Sequence, residues 1–258
     1  MKLLAINGSY RGEKGYTSFL INKVLEGANA AGATCEVIHL AKKSIKHCIG
    51  CFTCQKENHL MSCIFEDKDD IKEIYIKMEE ADLLIFATPV YVFNQSSLLN
   101  QLFDRYLGTC KSNELIFTKS KGLKNGLFFH HINKNICSKP FITLICQDNL
   151  EVATHSSILN YYKTYSRFMG APYVGSLVRR SGGVALHGDG KALEKYPVLG
   201  TIYESFYQAG IELAQQGKLS KRTMKLANQP LIKLPPLLHT LMRFKPFRDK
   251  AASRINIH

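Results

Sequence analysis

Three short apolar runs, separated by helix-length segments, constrain this chain most. Lys2–Asn7 is apolar and stops at Gly8, residues 34–40 alternate around Val37 and Ile38, and residues 83–88 end at Pro89. Runs of this length bounded by Gly or Pro read as strands, and apolar ones as strands buried on both faces. Between the first two, Leu20, Ile21, Val24, Leu25 and Ala28 recur on one helical face, and Gly32 ends the pattern. Residues 67–80 put Ile71, Ile74, Tyr75 and Met78 on one face, with Asp69-Asp70 near the start, where the helix dipole favours acids. Leu99, Leu102, Phe103 and Tyr106 mark a helix after the third strand. This β-α-β-α-β-α rhythm with short connections predicts a parallel sheet flanked by helices. Residues 108–138, rich in Lys, Asn and Gly, interrupt it as an insertion. It resumes with a strand at Phe141–Cys146, a helix at Ser156–Met169, a fifth strand at 173–178 and one long helix over about 191–216. The expected organisation is one α/β domain over 1–217 and a basic C-terminal appendage, helical or extended, over 218–258.

The chain carries 34 Lys and Arg against 21 Asp and Glu, a net charge of +13. From Lys218 onward the basic residues are Lys218, Lys221, Arg222, Lys225, Lys233, Arg243, Lys245, Arg248, Lys250 and Arg254, opposed only by Asp249. Such an excess favours anionic partners, phosphorylated cofactors among them. No aromatic–basic platform or recognition motif accompanies it, so nucleic acid is not an expected partner. No apolar run approaches the length that spans a bilayer. The N-terminus reaches Asn7-Gly8-Ser9 too soon for a signal-peptide core. The expected location is cytoplasmic. The apolar and basic mixture over 231–245 is compatible with an acidic or membrane surface, but packing on the domain or on a second subunit is the preferred reading.

Two loops leave the carboxyl edge of the expected sheet, where ligands bind in open α/β folds. The first runs Gly8-Ser9-Tyr10-Arg11-Gly12-Glu13-Lys14-Gly15-Tyr16-Thr17-Ser18 into a helix. Its glycines let backbone close on an anion, the helix N-terminus offers free N–H groups, and Ser9, Thr17, Ser18 and Arg11 add donors. The spacing is neither the dinucleotide fingerprint nor a Walker A loop, and a plain polar βα turn reads the same way. The second loop, Thr88-Pro89-Val90-Tyr91-Val92-Phe93-Asn94-Gln95-Ser96-Ser97, offers aromatic surface from Tyr91 and Phe93 and polar groups beyond them. It suits a planar heteroaromatic ring, or else its two rings simply pack on the next helix.

Four of the eight cysteines lie close together: Cys48, Cys51, Cys54 and, after an eight-residue spacer, Cys63. In a reducing compartment disulfides are not expected, and such a cluster points to metal or redox chemistry. C-x2-C-x2-C with a later cysteine suits a [4Fe–4S] cluster. Free thiols beside the cofactor or at a dimer contact, and structural zinc, are the alternatives, zinc being the weakest because no second Cys or His pair stands at finger spacing. Cys35, Cys110, Cys137 and Cys146 stand apart.

Gly8-Ser9-Tyr10-Arg11…Gly15-Tyr16-Thr17, the 48–63 cysteine segment followed by Asp69-Asp70, and Thr88-Pro89-Val90-Tyr91…Asp104-Arg105 occur in this order. Over about the first 110 residues they resemble the NADPH-dependent FMN reductase and iron–sulfur flavoprotein branch of the flavodoxin-like superfamily. The resemblance implies a flavodoxin-like three-layer α/β/α sandwich with a five-stranded parallel sheet in the order 2-1-3-4-5 and FMN at its carboxyl edge. It places the phosphate at Ser9, Arg11, Gly15, Thr17 and Ser18. It places the flavin ring at Pro89, Val90, Tyr91, Val92, Phe93 and Asn94, with a third contact at Gln147 and Asp148. It also puts the cysteine segment on the flavin's side of the sheet. The chain departs from the family pattern in a longer first loop, in Tyr16 where Asn is usual, and in the insertion and tail.

The implied activity is FMN-dependent NAD(P)H oxidation, reducing a flavin, quinone or nitro acceptor. The alternative is a non-enzymatic electron carrier that takes electrons from ferredoxin through FMN and a [4Fe–4S] group. A homodimer is the family expectation. The flavin carries the chemistry in such proteins, so no catalytic side chain is assigned, although His130, His131 and His155 are candidates to lie near the ring.

Overall fold

The computed structural model describes residues 1–59, 61–118, 127–183, 190–231, 243–247 and 249. The strands are β1 (Lys2–Asn7), β2 (Thr34–His39), β3 (Leu83–Pro89), β4 (Cys110–Thr118), β5 (Leu127–Ile132), β6 (Phe141–Cys146) and β7 (Tyr173–Arg179). Five of them form one parallel sheet, ordered β2-β1-β3-β6-β7. Numbering only these five along the chain gives 2-1-3-4-5, the flavodoxin-like order. The expected insertion contributes β4 and β5, which pair antiparallel as a separate two-stranded sheet.

Alternation along the central strands builds the three layers. Leu3, Ala5, Leu83, Ile85, Ile142 and Leu144 face one core, shared with α1 (Tyr16–Ala30) and, further along the chain, a helix at Val198–Gln216. Leu4, Ile6, Leu84, Phe86, Phe141 and Ile145 face the other, shared with α2 (Ile71–Glu80), α3 (Ser97–Arg105) and, beyond a short α4 (Lys134–Cys137), α5 (Ser156–Met169). Phe86 anchors that second layer, with Phe103, Phe141 and Tyr162 rings 5.2, 5.6 and 5.6 Å away.

Two local readings change. The helix expected from 67 begins at Ile71, because Asp69 and Asp70 are spent on the preceding segment. Asp70 Oδ2 accepts from Ser44 N at 2.7 Å and Asp69 Oδ2 from Lys46 N at 2.8 Å, while Asp69 also pairs with Arg105. The single helix expected over 191–216 is two, α6 (Gly190–Lys195) and α7 (Val198–Gln216), because Pro197 sits at the junction and has no N–H to continue the ladder. Within the basic C-terminal stretch, α8 (Lys221–Ala227) packs against α7 and β7. Just after it, Asn228 works as a surrogate strand: its Oδ1 accepts from Val178 N at 2.6 Å and its Nδ2 donates to Ser176 O at 3.1 Å. The open edge of β7 is thereby covered. Residues 232–242, which hold most of the apolar–basic mixture noted above, lie outside the described residues.

The α1–α7 contact has no room for side chains at its centre. A Cβ on Gly27 would lie 1.9 Å from Tyr207 O, and one on Gly210 would lie 1.8 Å from Val24 O. The clashing atoms are backbone, so relief requires moving a whole helix. Gly210→Ala is therefore expected to cost about 1–3 kcal/mol by overpacking, measured by chemical denaturation; unchanged stability would contradict this packing.

Candidate functional site

Two loops of the carboxyl edge meet because their strands are neighbours. Gly8 N donates to Ala87 O at 2.8 Å as β1 leaves the sheet beside β3. A Cβ on Gly8 would lie 2.6 Å from Ser96 Oγ and 2.8 Å from Leu99 Cγ, so only glycine lets α3 come this close. Buried Asn7 then shapes the loop. Its Oδ1 accepts from Ser9 N at 2.9 Å, and its Nδ2 donates to Gly12 O at 3.3 Å and meets His39 Nδ1 at 3.0 Å. Gly12 turns the chain at a φ of +52°.

The loop closes on a small cradle. A Cβ on Gly15 would lie 3.0 Å from both Ser9 Oγ and Arg11 Cβ. Gly15 is the N-cap of α1 and brings no capping side chain. Ser9, Thr17 and Ser18 are buried and Arg11 is exposed. Thr17 hydrogen-bonds the Cys146 thiol, which burial pushes up to about 12.

The second loop is a two-residue reversal. Tyr91 and Asn94 exchange backbone bonds of 2.9 and 3.0 Å, and Val92 and Phe93 between them both have positive φ, 46° and 64°. This is the geometry glycine and asparagine usually supply, and a β-branched residue there is strained. Val92 is nonetheless 90% exposed and Phe93 61%. The turn is held from three sides. Ser157 Oγ donates to Phe93 O. Tyr10 OH and Ser97 Oγ lie 2.5 Å apart, which ties this loop to the first, and the Tyr10 and Tyr91 rings are 6.4 Å apart. Ser96 N donates to Thr88 Oγ1 at 2.9 Å. Beside the turn, the buried Gln95 Oε1 has no hydrogen-bond partner.

The third loop is braced from inside. Gln147 turns inward, its Nε2 donating to Asn149 O and Glu151 O at 2.8 Å each and its Oε1 lying 2.6 Å from His155 Nδ1. Burial, and then the Arg180 charge, hold His155 below its ordinary value. Asp148 Oδ1 accepts from Gly183 N at 2.6 Å. Ser181, at a φ of 60°, buries a hydroxyl that has no partner. The side chains of His130 and His131 lie outside the described residues.

The cysteine segment follows β2 and is fastened along α3. Gln101 Nε2 donates to Ile45 O, Arg105 Nη1 to Lys46 O at 2.9 Å, and Cys54 Sγ to Leu107 O at 3.7 Å. Left-handed turns at Gly50 (φ 63°) and Phe52 (φ 53°) fold it back. Cys48, Cys51, Cys54 and Cys63 then line one pocket together with Phe65 and Arg105. Cys54 is buried and Cys51 exposed. The Thr53 hydroxyl lowers the Cys51 thiol, whereas burial raises that of Cys54. A Cβ on Gly108 would lie 3.3 Å from Cys63 Cβ, so glycine permits that approach. Among the described residues, no three His, Cys, Asp or Glu side chains are already gathered closely enough to hold a metal. The four thiols share a pocket without converging on a point.

Sequence reasoning missed Tyr10, Ser181, the Gln147–His155 pair and the buried role of Arg105. Only Arg105 carried a signal, as an arginine on a helix whose neighbouring face is apolar.

Residues 1–118 match the family model described as NADPH-dependent FMN reductase. An iron–sulfur flavoprotein of Archaeoglobus fulgidus is 37% identical over 132 residues, 49% of this chain and 62% of that protein. Another, of Methanocaldococcus jannaschii, is 39% identical over 105 residues, 41% of this chain and 51% of that protein. The matched region thus spans only half to three-fifths of these relatives' length. Among solved structures, an FMN-dependent NADH-azoreductase of Bacillus anthracis in complex with FMN superposes with a TM-score of 0.56 at 16% identity, covering 83% of this chain and 99% of that one. A flavone reductase superposes with a TM-score of 0.52 at 19% identity, covering 84% and 64%. These likenesses concern the fold. Over residues 1–118, less than half of the chain, the sequence is similar to the NADPH-dependent FMN reductase family and to iron–sulfur flavoproteins, and the fold is flavodoxin-like.

Proposed function

We propose that this chain is an FMN-dependent oxidoreductase that uses NAD(P)H to reduce a small acceptor such as a quinone, a nitro compound or free flavin. The observation that carries the reading is the Gly15 cradle. Ser9 Oγ and Arg11 close around Gly15 at the N-terminus of α1, where the N-cap residue has no side chain to compete, and a phosphate would meet there the N–H donors and dipole it needs. Ser9, Arg11, Thr17 and Ser18 are the residues to hold the phosphate. Pro89 to Asn94 supply the platform for the ring, and their strained turn is rigid because Ser157, Tyr10 and Thr88 fasten it. The unpartnered Gln95 Oε1 and Ser181 Oγ suit a heterocycle's donors and acceptors. Gln147 and Asp148 serve differently, keeping the 147–155 loop shaped. When bound, FMN supplies the redox chemistry, and the chain's residues bind, orient and exclude water.

A second centre is favoured by the single pocket that Cys48, Cys51, Cys54 and Cys63 share. We propose that these four thiolates hold a [4Fe–4S] cluster, as the names of the relatives suggest. The corresponding second reading of function is an electron carrier that accepts electrons from ferredoxin. A soluble, small-molecule role is compatible with there being no helix among the described residues long and apolar enough to cross a membrane.

Steady-state NAD(P)H oxidation by the FMN-loaded protein separates the two readings. Turnover with a quinone or nitro acceptor is expected. No turnover with any acceptor, alongside rapid reduction by ferredoxin, would leave the carrier. Iron analysis after anaerobic reconstitution tests the second centre. About four irons per chain are expected in the wild type, with a loss of most of them in Cys51→Ala; equal iron in both would exclude Cys51 as a ligand. Val92→Asn is expected to raise stability by up to about 1 kcal/mol, because Asn tolerates the left-handed region. It should also weaken FMN by removing apolar surface. Thermal unfolding and FMN titration read these two effects, and a less stable variant would refute the strain.

A further inference from the structure

Arg105 is a buried cation whose hydrogen-bonding capacity is only partly used. It is 2% exposed, at the C-terminal end of α3. Nη1 donates to Lys46 O at 2.9 Å and pairs with Asp69 Oδ2. Nε and Nη2 are buried and have no partner at all. The Phe65 ring lies 5.7 Å from the guanidinium carbon, so an aromatic group occupies its neighbourhood without offering an acceptor. Asp69 gives no further help, since it already accepts from Lys46 N and Ile71 N as well. A charged donor edge held out of water without acceptors is costly, and native chains keep such groups for a partner.

The surroundings limit what that partner is. Arg105 lines the same pocket as Cys48, Cys51, Cys54 and Cys63, and Ile49, Phe52, Ile64 and Phe65 make the rest of that pocket largely apolar. Sulfur is therefore the acceptor chemistry the side chains of the pocket provide. A second unpartnered donor, the buried Tyr75 hydroxyl, belongs to the adjoining cavity, which Cys63 and Gly108 also line.

We propose that Arg105 is the charge-compensating donor for the anionic iron–sulfur group held by the four cysteines, its free Nε and Nη2 hydrogens bonding sulfur and setting the group's reduction potential. This rests on the cluster reading above. A buried positive charge and N–H···S bonds stabilise the more negative, reduced form and so raise the potential. Asp69 offsets part of that charge. Removing the cation and removing its counter-ion must therefore shift the potential in opposite directions, which a merely structural role would not do.

The test is EPR-monitored potentiometry on the anaerobically reconstituted full chain, with dithionite as one-electron reductant. At the potential where the wild-type cluster is half reduced, Arg105→Gln is expected to show at least a tenfold lower reduced-to-oxidised ratio, about 59 mV for a one-electron couple. Asp69→Asn, which keeps an acceptor for Lys46 N, is expected to show a higher ratio, and Arg105→Lys one between those of the wild type and Arg105→Gln. Both principal variants within twofold of the wild type, or both shifted the same way, would overturn the role of Arg105 while leaving the cluster standing. If Arg105→Gln retains no cluster, Asp69→Asn decides: an upward shift supports the proposal and none overturns it. A wild type that binds no iron sinks the cluster reading and this inference together.

Discussion

One backbone hydrogen bond and one missing side chain hold the carboxyl edge together. Gly8 N reaches Ala87 O at 2.8 Å, and the absence of a Cβ on Gly8 lets Ser96 and Leu99 close over it. The first loop is thereby pressed against the start of α3, near enough for Tyr10 to meet Ser97. Any larger residue at position 8 would push the two loops apart. The pairing of β1 with β3 at the centre of a sheet buried on both faces keeps this arrangement fixed.

Helix α3 carries the two candidate centres at its two ends. Ser96 and Ser97 begin it among the first two loops, and Arg105 closes it in the cysteine pocket. Arg105 is the ninth residue of α3 from Ser97, an axial distance of about 12 Å along the helix. The segment after β2 follows the helix down its side, fastened at Ile45, Lys46 and Leu107. The cysteines are consequently held by the same rigid element as the flavin-type loops, yet at a distance from them. On the opposite face, the glycine-to-backbone contact of α1 with α7 fixes the other end of the first loop, because α1 starts at its close.

Much of this was legible in the sequence because it depends on local pattern. The period-2 and helical repeats from Leu3 to Tyr106 are strong, and Gly8, Gly32 and Pro89 punctuate them at the element boundaries. The candidate loops were legible for the same reason, as each directly follows a strand. What stayed hidden depends on contacts between distant residues. Asp69 looks like an ordinary acid at a helix start until Arg105 arrives from α3 to pair with it. Asn228 looks like a polar residue in a basic tail until its amide pairs with β7. Gln147 looks like a ligand-facing amide, and only the position of His155 and the Asn149 and Glu151 carbonyls turns it inward. Pro197 breaks the helix although the apolar pattern runs through it. The left-handed Val92 and Phe93 carry no sequence signal, because neither residue favours that conformation.

In the proposed function the Gly15 cradle and the Tyr91–Asn94 turn serve one FMN site. Fluorescence titration of the flavin-free protein with FMN tests it most directly, comparing the wild type with Gly15→Val, whose side chain would fill the space beside Ser9 Oγ. The account predicts quenching that saturates at one FMN per chain in the wild type and affinity at least tenfold weaker in Gly15→Val. Equal affinity in both proteins, or no quenching in the wild type, would contradict it.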